Sequence, residues 1–114
     1  MSRVQEFTEY RQRMNARIHE TGTTTTKRFF ALDERCYQDG ALDARTKEIA
    51  GLSASLVLRC DDCISYHVAQ AVEAGCTREE IMEVFDVGLI VGGSIVIPHL
   101  RRAVEFLDEL LGEG

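Results

Sequence analysis

One proline, Pro98, stands in a chain of 114 residues, and no stretch alternates apolar and polar residues between tight-turn pairs. A sheet has little to be built from, and the three- and four-residue spacing of apolar side chains predicts helices throughout. The expected class is all-α, with about six helices. The first covers Val4 to His19, with Val4, Phe7, Arg11, Met14 and Ile18 at three- and four-residue spacing, and Gly22 suits its end. A threonine run then offers N-caps for a second helix carrying Phe29, Phe30, Leu32 and Cys36, with Gly40 as its stop. The third begins near Asp43 and runs to about Leu58, with Ile49, Leu52, Leu56 and Val57 toward the core. A fourth runs from the segment "RCDDCISYH" (59–67) to Gly75. Thr77 and Glu80 form a capping box for the fifth, which passes into Gly92 and Gly93. The last spans about Ser94 to Leu111 and holds Pro98 in its first turn, where a missing N–H costs least. The length suits one domain, 1–114, with a modest core.

Charge narrows the partners. A net charge of −6 and a sequence pI near 5.0 give no broad positive field for phosphate backbones or anionic lipid, so neither nucleic acid nor a membrane surface is an expected partner. The longest strongly apolar stretch, "VGLIVGGSIVIP" (Val87 to Pro98), is well short of the roughly 20 residues that span a bilayer. The N-terminus lacks the apolar segment and small-residue cleavage site of a secretory signal, which makes the cytoplasm the expected compartment. Its glycines match neither GxGxxG after a strand nor GK[ST], so no nucleotide cofactor is expected. Because "GLIVGGSIVI" is apolar on every side, it should be buried against neighbouring helices or another subunit, and a homo-oligomer is expected rather than a simple monomer.

"RCDDCISYH" carries the chemistry. Cys60 and Cys63 are three positions apart and His67 follows four later, so a helix starting here sets all three on one face. Three readings fit that stripe: a redox pair with its own base, metal ligands, or core residues. In a reducing compartment a CxxC pair points to catalysis or metal rather than to a structural staple. A disulfide across the first helical turn needs no backbone movement. The helix N-terminus and His67 both favour thiolate, whereas Asp61 and Asp62 oppose it and Arg59 partly offsets them. A zinc site would need Cys76 or His99 as fourth ligand, and C-x2-C-x3-H-x8-C on one helix spreads those groups too far for a tetrahedron, leaving only a site across subunits.

Glu48 is the distant member. If the third and fourth helices form an antiparallel hairpin, Glu48 and His67 differ in position along the pair by roughly 7 to 8 Å, close enough to meet directly or through a water. Cys36 and Cys76 read as small buried residues. His99, Arg101 and Arg102 read as a polar helix face or the lining of a pocket for an acidic substrate. "EFLDELLGEG" reads as amphipathic packing followed by a solvated end.

The combination Glu48-x11-Cys60-x2-Cys63-x3-His67 resembles the signature of the alkylhydroperoxidase D branch of the carboxymuconolactone decarboxylase family, and the resemblance extends from Ala44 to Leu107. It implies a helical bundle assembled as trimers or hexamers, whose cysteine pair reduces hydroperoxides or exchanges disulfides. By position, Cys63 would be the peroxidatic thiol and Cys60 the resolving thiol, with His67 and Glu48 as proton relay. The implied partners are a hydroperoxide and a thiol reductant or protein disulfide partner. The match departs at Asp62, where the best-known members carry a histidine. Lactone decarboxylation is not expected, because the members that perform it lack the thiol pair. Two other functions share the same fold: a thiol-disulfide exchange protein with little peroxidase turnover, and a non-enzymatic oligomeric binding module.

Overall fold

The computed structural model describes residues 2–112, so Glu113 and Gly114, the end of the acidic tail, lie outside the described residues. Six helices and a short 3-10 turn follow one another: α1 (Arg3–Thr21), α2 (Thr24–Cys36), α3 (Ala44–Leu58), α4 (Asp61–Glu73), α5 (Arg78–Gly92), the turn Ser94–Val96, and α6 (Ile97–Leu111). Among the described residues there is no strand. The all-α expectation is borne out, and no helix described is long and apolar enough to cross a membrane.

Local chemistry sets the boundaries. Thr77 accepts the N–H of Glu80 while the Glu80 side chain accepts the N–H of Thr77, the predicted capping box of α5. Asp43 caps α3 through the N–H of Thr46, and Thr23, at the start of the threonine run, caps α2. Pro98 sits in the first turn of α6. At the end of α4, Cys76 N–H reaches Ala71 O and Gly75 N–H reaches Val72 O around a left-handed Gly75 (φ 95°), a Schellman ending that only glycine adopts without strain.

The core belongs to the last four helices. Leu52 and Leu56 of α3, Ile64, Val68 and Ala71 of α4, Ile81 and Phe85 of α5, and Ala103, Phe106 and Leu107 of α6 are buried together with Val96. Antiparallel α3 and α4 form the hairpin at its centre; α3 also packs on α5, and α4 on α6. Gly88 brings α5 close to α3, since a Cβ there would fall 2.9 Å from Leu56. The first two helices contribute no buried residue. Val4 and Phe7 of α1 rest on the core's edge, with Phe7 edge-to-face on Phe106 at 5.7 Å.

Two sequence expectations change. The second helix stops at Cys36, before Gly40, because Lys47 Nζ of α3 donates to the carbonyls of Cys36 and Gln38 at 2.8 and 2.7 Å. That distant lysine satisfies carbonyls that a local glycine ending would otherwise serve. Cys36 is exposed rather than buried, since it ends a helix whose Phe29 and Leu32 are themselves exposed; Cys76 is buried as expected. The apolar stretch divides: Val96 and Gly88 turn inward, whereas Val87, Ile90, Val91 and Ile95 remain exposed on the single chain, Ile90 at 84%.

Candidate functional site

The α3–α4 connection builds the site. Arg59 adopts the left-handed conformation (φ 58°), Arg59 N–H bonds Leu56 O, and Cys60 N–H bonds Ser55 O. This Schellman ending of α3 delivers the chain directly into the next helix, so that Cys60 is both the residue after the turn and the N-cap of α4. Its sulfur accepts the N–H of Cys63 at 3.2 Å. The two cysteines are joined by a disulfide, with Cα atoms 5.2 Å apart, and the pair lies at the positive end of the α4 dipole.

One turn beyond Cys63, His67 meets Glu48 of α3. Nδ1 and Oε1 are 2.8 Å apart, and both residues are buried, at 8% and 6% exposure. The hairpin closes the axial offset anticipated from sequence. An ionised carboxylate only accepts, so in the neutral ring Nδ1 carries the proton and Nε2 keeps its lone pair. That lone pair faces Tyr37: Nε2 and Tyr37 Oη are 3.4 Å apart. Burial first, and then the Glu48 charge, push the Tyr37 phenol above its ordinary range, so its hydroxyl stays protonated and donates to His67.

Tyr37 and a second tyrosine, Tyr66, were not singled out in the sequence. Tyr66 stands edge-on to His67 with ring centroids 5.2 Å apart and carries Arg11 of α1 over its face at 4.2 Å. Its phenol is also raised, mainly by burial and next by Glu48. Tyr37 follows α2 in a turn with no helical register to α3 or α4, so no spacing pointed to it. Tyr66 precedes His67 and could have been read as its neighbour.

Gly51 makes room for the imidazole. A Cβ at this position would lie 2.7 Å from His67 Cε1 and 2.8 Å from Tyr37 Oη. Helix propensity alone favours alanine over glycine by about 1 kcal/mol. Gly51→Ala is nevertheless expected to destabilise, by about 1–3 kcal/mol, because His67 and Tyr37 must both move. Urea unfolding of the variant gives the sign: a gain in stability would show that the ring has slack.

Two cavities meet at this pair. A groove of about 860 Å³ between α1 and α4 is lined by Cys63, His67 and Tyr66 against Phe7, Met14 and Ile18. A second, of about 620 Å³, is lined by Glu48, Tyr37, Phe30 and again Tyr66. Cys63 and His67 thus open to one side, Glu48 and Tyr37 to the other.

The remaining candidates fall elsewhere. Cys76 is buried, its thiol pushed up chiefly by that burial, against the opposing pull of Arg45; Arg45 itself pairs with Glu80. His99 and Arg102 converge on Asp61.

Known proteins carry the same arrangement of chain. The sequence model of the carboxymuconolactone decarboxylase family matches residues 24–106, from the start of α2 into α6. A crystal structure of a protein of that family from Thermotoga maritima, described with an antioxidative response as a candidate role, superposes with a TM-score of 0.89 at 56% identity, over 94% of this chain and 91% of that one. A Legionella pneumophila protein of the same family superposes with a TM-score of 0.86 at 24% identity, over 96% of this chain and 98% of that one, a likeness of fold. An uncharacterized protein in the cox locus of Paracoccus denitrificans is 35% identical over 80% of this chain and 82% of its own length. With the family's sequence model covering most of the residues and its solved members sharing the same course of helices, this chain belongs to the carboxymuconolactone decarboxylase family.

Proposed function

We propose that the chain is a thiol-dependent hydroperoxide reductase of the alkylhydroperoxidase D type, acting as a single domain with an antioxidant role. The observation that carries this reading is the buried Glu48–His67 pair seated one turn from Cys63, with His67 and Cys63 facing one groove. A cysteine pair alone would serve disulfide exchange. A buried ionisable relay beside it suits a reaction that must remove one proton from a thiol and return protons to an alkoxide and a hydroxide.

Cys63 thiolate attacks the terminal oxygen of ROOH; the O–O bond breaks, Cys63 becomes a sulfenic acid, and the alkoxide takes a proton to leave as ROH. The Cys60 thiol then attacks the Cys63 sulfur, an S–S bond forms, and water leaves. An external dithiol, or two thiols, reduces the disulfide and restores the pair. Glu48 fixes the tautomer of His67 and compensates its charge, and Nε2, bonded to the Tyr37 hydroxyl at rest, takes up the thiol proton once that hydroxyl turns aside. Phe7, Met14 and Ile18 give the groove an apolar wall, which suits a hydroperoxide with a hydrocarbon body. Steady consumption of cumene hydroperoxide with dithiothreitol as reductant tests the reading. Turnover well above the protein-free rate is expected; disulfide-substrate reduction without peroxide consumption would favour the exchange protein instead.

The functional unit is proposed to be a homo-oligomer, a trimer or hexamer. Val87, Ile90, Val91 and Ile95 form an apolar surface that the single chain leaves open, and a surface of this kind on a small chain calls for a covering copy. Light scattering should give a multiple of the 12.8 kDa chain mass; a monomer at micromolar concentration would contradict this.

A further inference from the structure

Asp61, the first residue of α4, stands between the two cysteines in sequence and next to Cys60. In sequence its charge counts against a thiolate. The structure gives it two partners from α6. His99 Nδ1 lies 2.8 Å from one carboxylate oxygen, and Arg102 Nη1 donates to the other at 3.2 Å. An aspartate at a helix start is already favoured by the dipole and needs no partner for that. Two donors, from residues 38 and 41 positions away, therefore act on its charge and its direction.

The electrostatic balance of the groove gives that action a consequence. Glu6, Asp33, Asp61 and Asp62 line it with Arg3 and Arg11, beside His67, and Glu48 lies behind His67. Four carboxylates thus face two guanidiniums at the mouth of a site that must form an anion. Arg102 supplies a third guanidinium, attached to the carboxylate adjacent to the disulfide.

We propose that His99 and Arg102 are positioning residues of the thiol site: by clamping Asp61 they offset the charge beside Cys60 and raise the thiolate population of the reduced pair. This rests on Cys60 and Cys63 being the working thiols and adds to that reading a control from α6. No step of the peroxide reaction passes through the clamp.

The test is the alkylation rate of Cys63 by iodoacetamide in the fully reduced full-length protein, measured against pH and assigned by peptide mass so that Cys36 and Cys76 are counted apart. Arg102→Gln should move the midpoint upward and slow alkylation at pH 7 roughly threefold to tenfold, the usual size for one screened charge near a protein surface. His99→Gln should move it in the same direction. Arg102→Lys should keep the wild-type profile, and Asp61→Asn should shift it downward. In the Asp61→Asn background Arg102→Gln should lose most of its effect, since the two residues act as one unit. Arg102 is half exposed, and an unchanged helical circular dichroism signal separates electrostatics from unfolding. Wild-type profiles for both Arg102→Gln and His99→Gln would overturn the proposal, as would an undiminished Arg102→Gln effect in the Asp61→Asn background. The readout uses no peroxide: a protein inert to hydroperoxides but shifted in alkylation would lose the peroxidase reading and keep the clamp, and the reverse result would remove the clamp alone.

Discussion

Cys63→Ser is expected to lower the rate of reaction with an organic hydroperoxide by about a thousandfold or more, the usual scale for deleting a nucleophile. A serine hydroxyl at the same place remains protonated at neutral pH, so the groove would still admit peroxide and have nothing to attack it. Cys60→Ser should behave differently. Cys63 would react with its first equivalent at close to the normal rate and then stop as a sulfenic acid, because the thiol whose Cα lies 5.2 Å away has gone. Dimedone trapping with intact-mass detection distinguishes the two: an adduct in Cys60→Ser, none at this site in Cys63→Ser. Fast loss of the remaining Cys60 thiol in Cys63→Ser would reverse the roles of the two cysteines.

Glu48→Gln is expected to slow the same reaction about a hundredfold while leaving the fold intact. The side chains are nearly the same size, so the buried contact at 2.8 Å is kept. The charge is lost, and with it the rule that Nδ1 must carry the proton: a carboxamide can donate as well as accept. His67 can then take the other tautomer and present an N–H where a base needs a lone pair, a failure known to be severe in catalytic triads. General-base participation is commonly worth about 10² to 10⁴ in rate, so a loss at the low end is the least expected. Glu48→Ala is a poorer test. It leaves a buried imidazole N–H without its partner, at about 1–3 kcal/mol of stability. Stopped-flow thiol loss in Glu48→Gln, with urea unfolding as control, gives the number; a wild-type rate would reduce Glu48 to a structural partner of His67.

The legible part of this chain was its local part. Thr77 and Glu80 three apart, Asp43 before a helix, Gly75 after one and Pro98 at the start of another each act within a turn of themselves, and each element boundary they mark is present. The Glu48–His67 contact was legible for a related reason. A hairpin with a two-residue connection fixes its register, so positions on facing helices convert to distance along an axis.

What escaped was non-local. Lys47 ends α2 from the following helix, and Asp61 receives donors from α6. Tyr37 reaches His67 across thirty positions. No periodicity joins those pairs. Cys36 shows a second limit, because an amphipathic pattern says which face of a helix is apolar and not whether anything packs on it. The surfaces of α2 and of the Val87–Ile95 stretch are apolar and open on this chain.

The most direct measurement is thiol loss from fully reduced protein mixed anaerobically with a slight excess of cumene hydroperoxide, followed in time and mapped by peptide mass. Two of the four thiols should disappear far faster than those of a free-thiol control, and the product should contain the Cys60–Cys63 bond with Cys36 and Cys76 still reduced. Oxidation no faster than the control, or loss that begins at the exposed Cys36, would contradict a hydroperoxide reductase centred on Cys63.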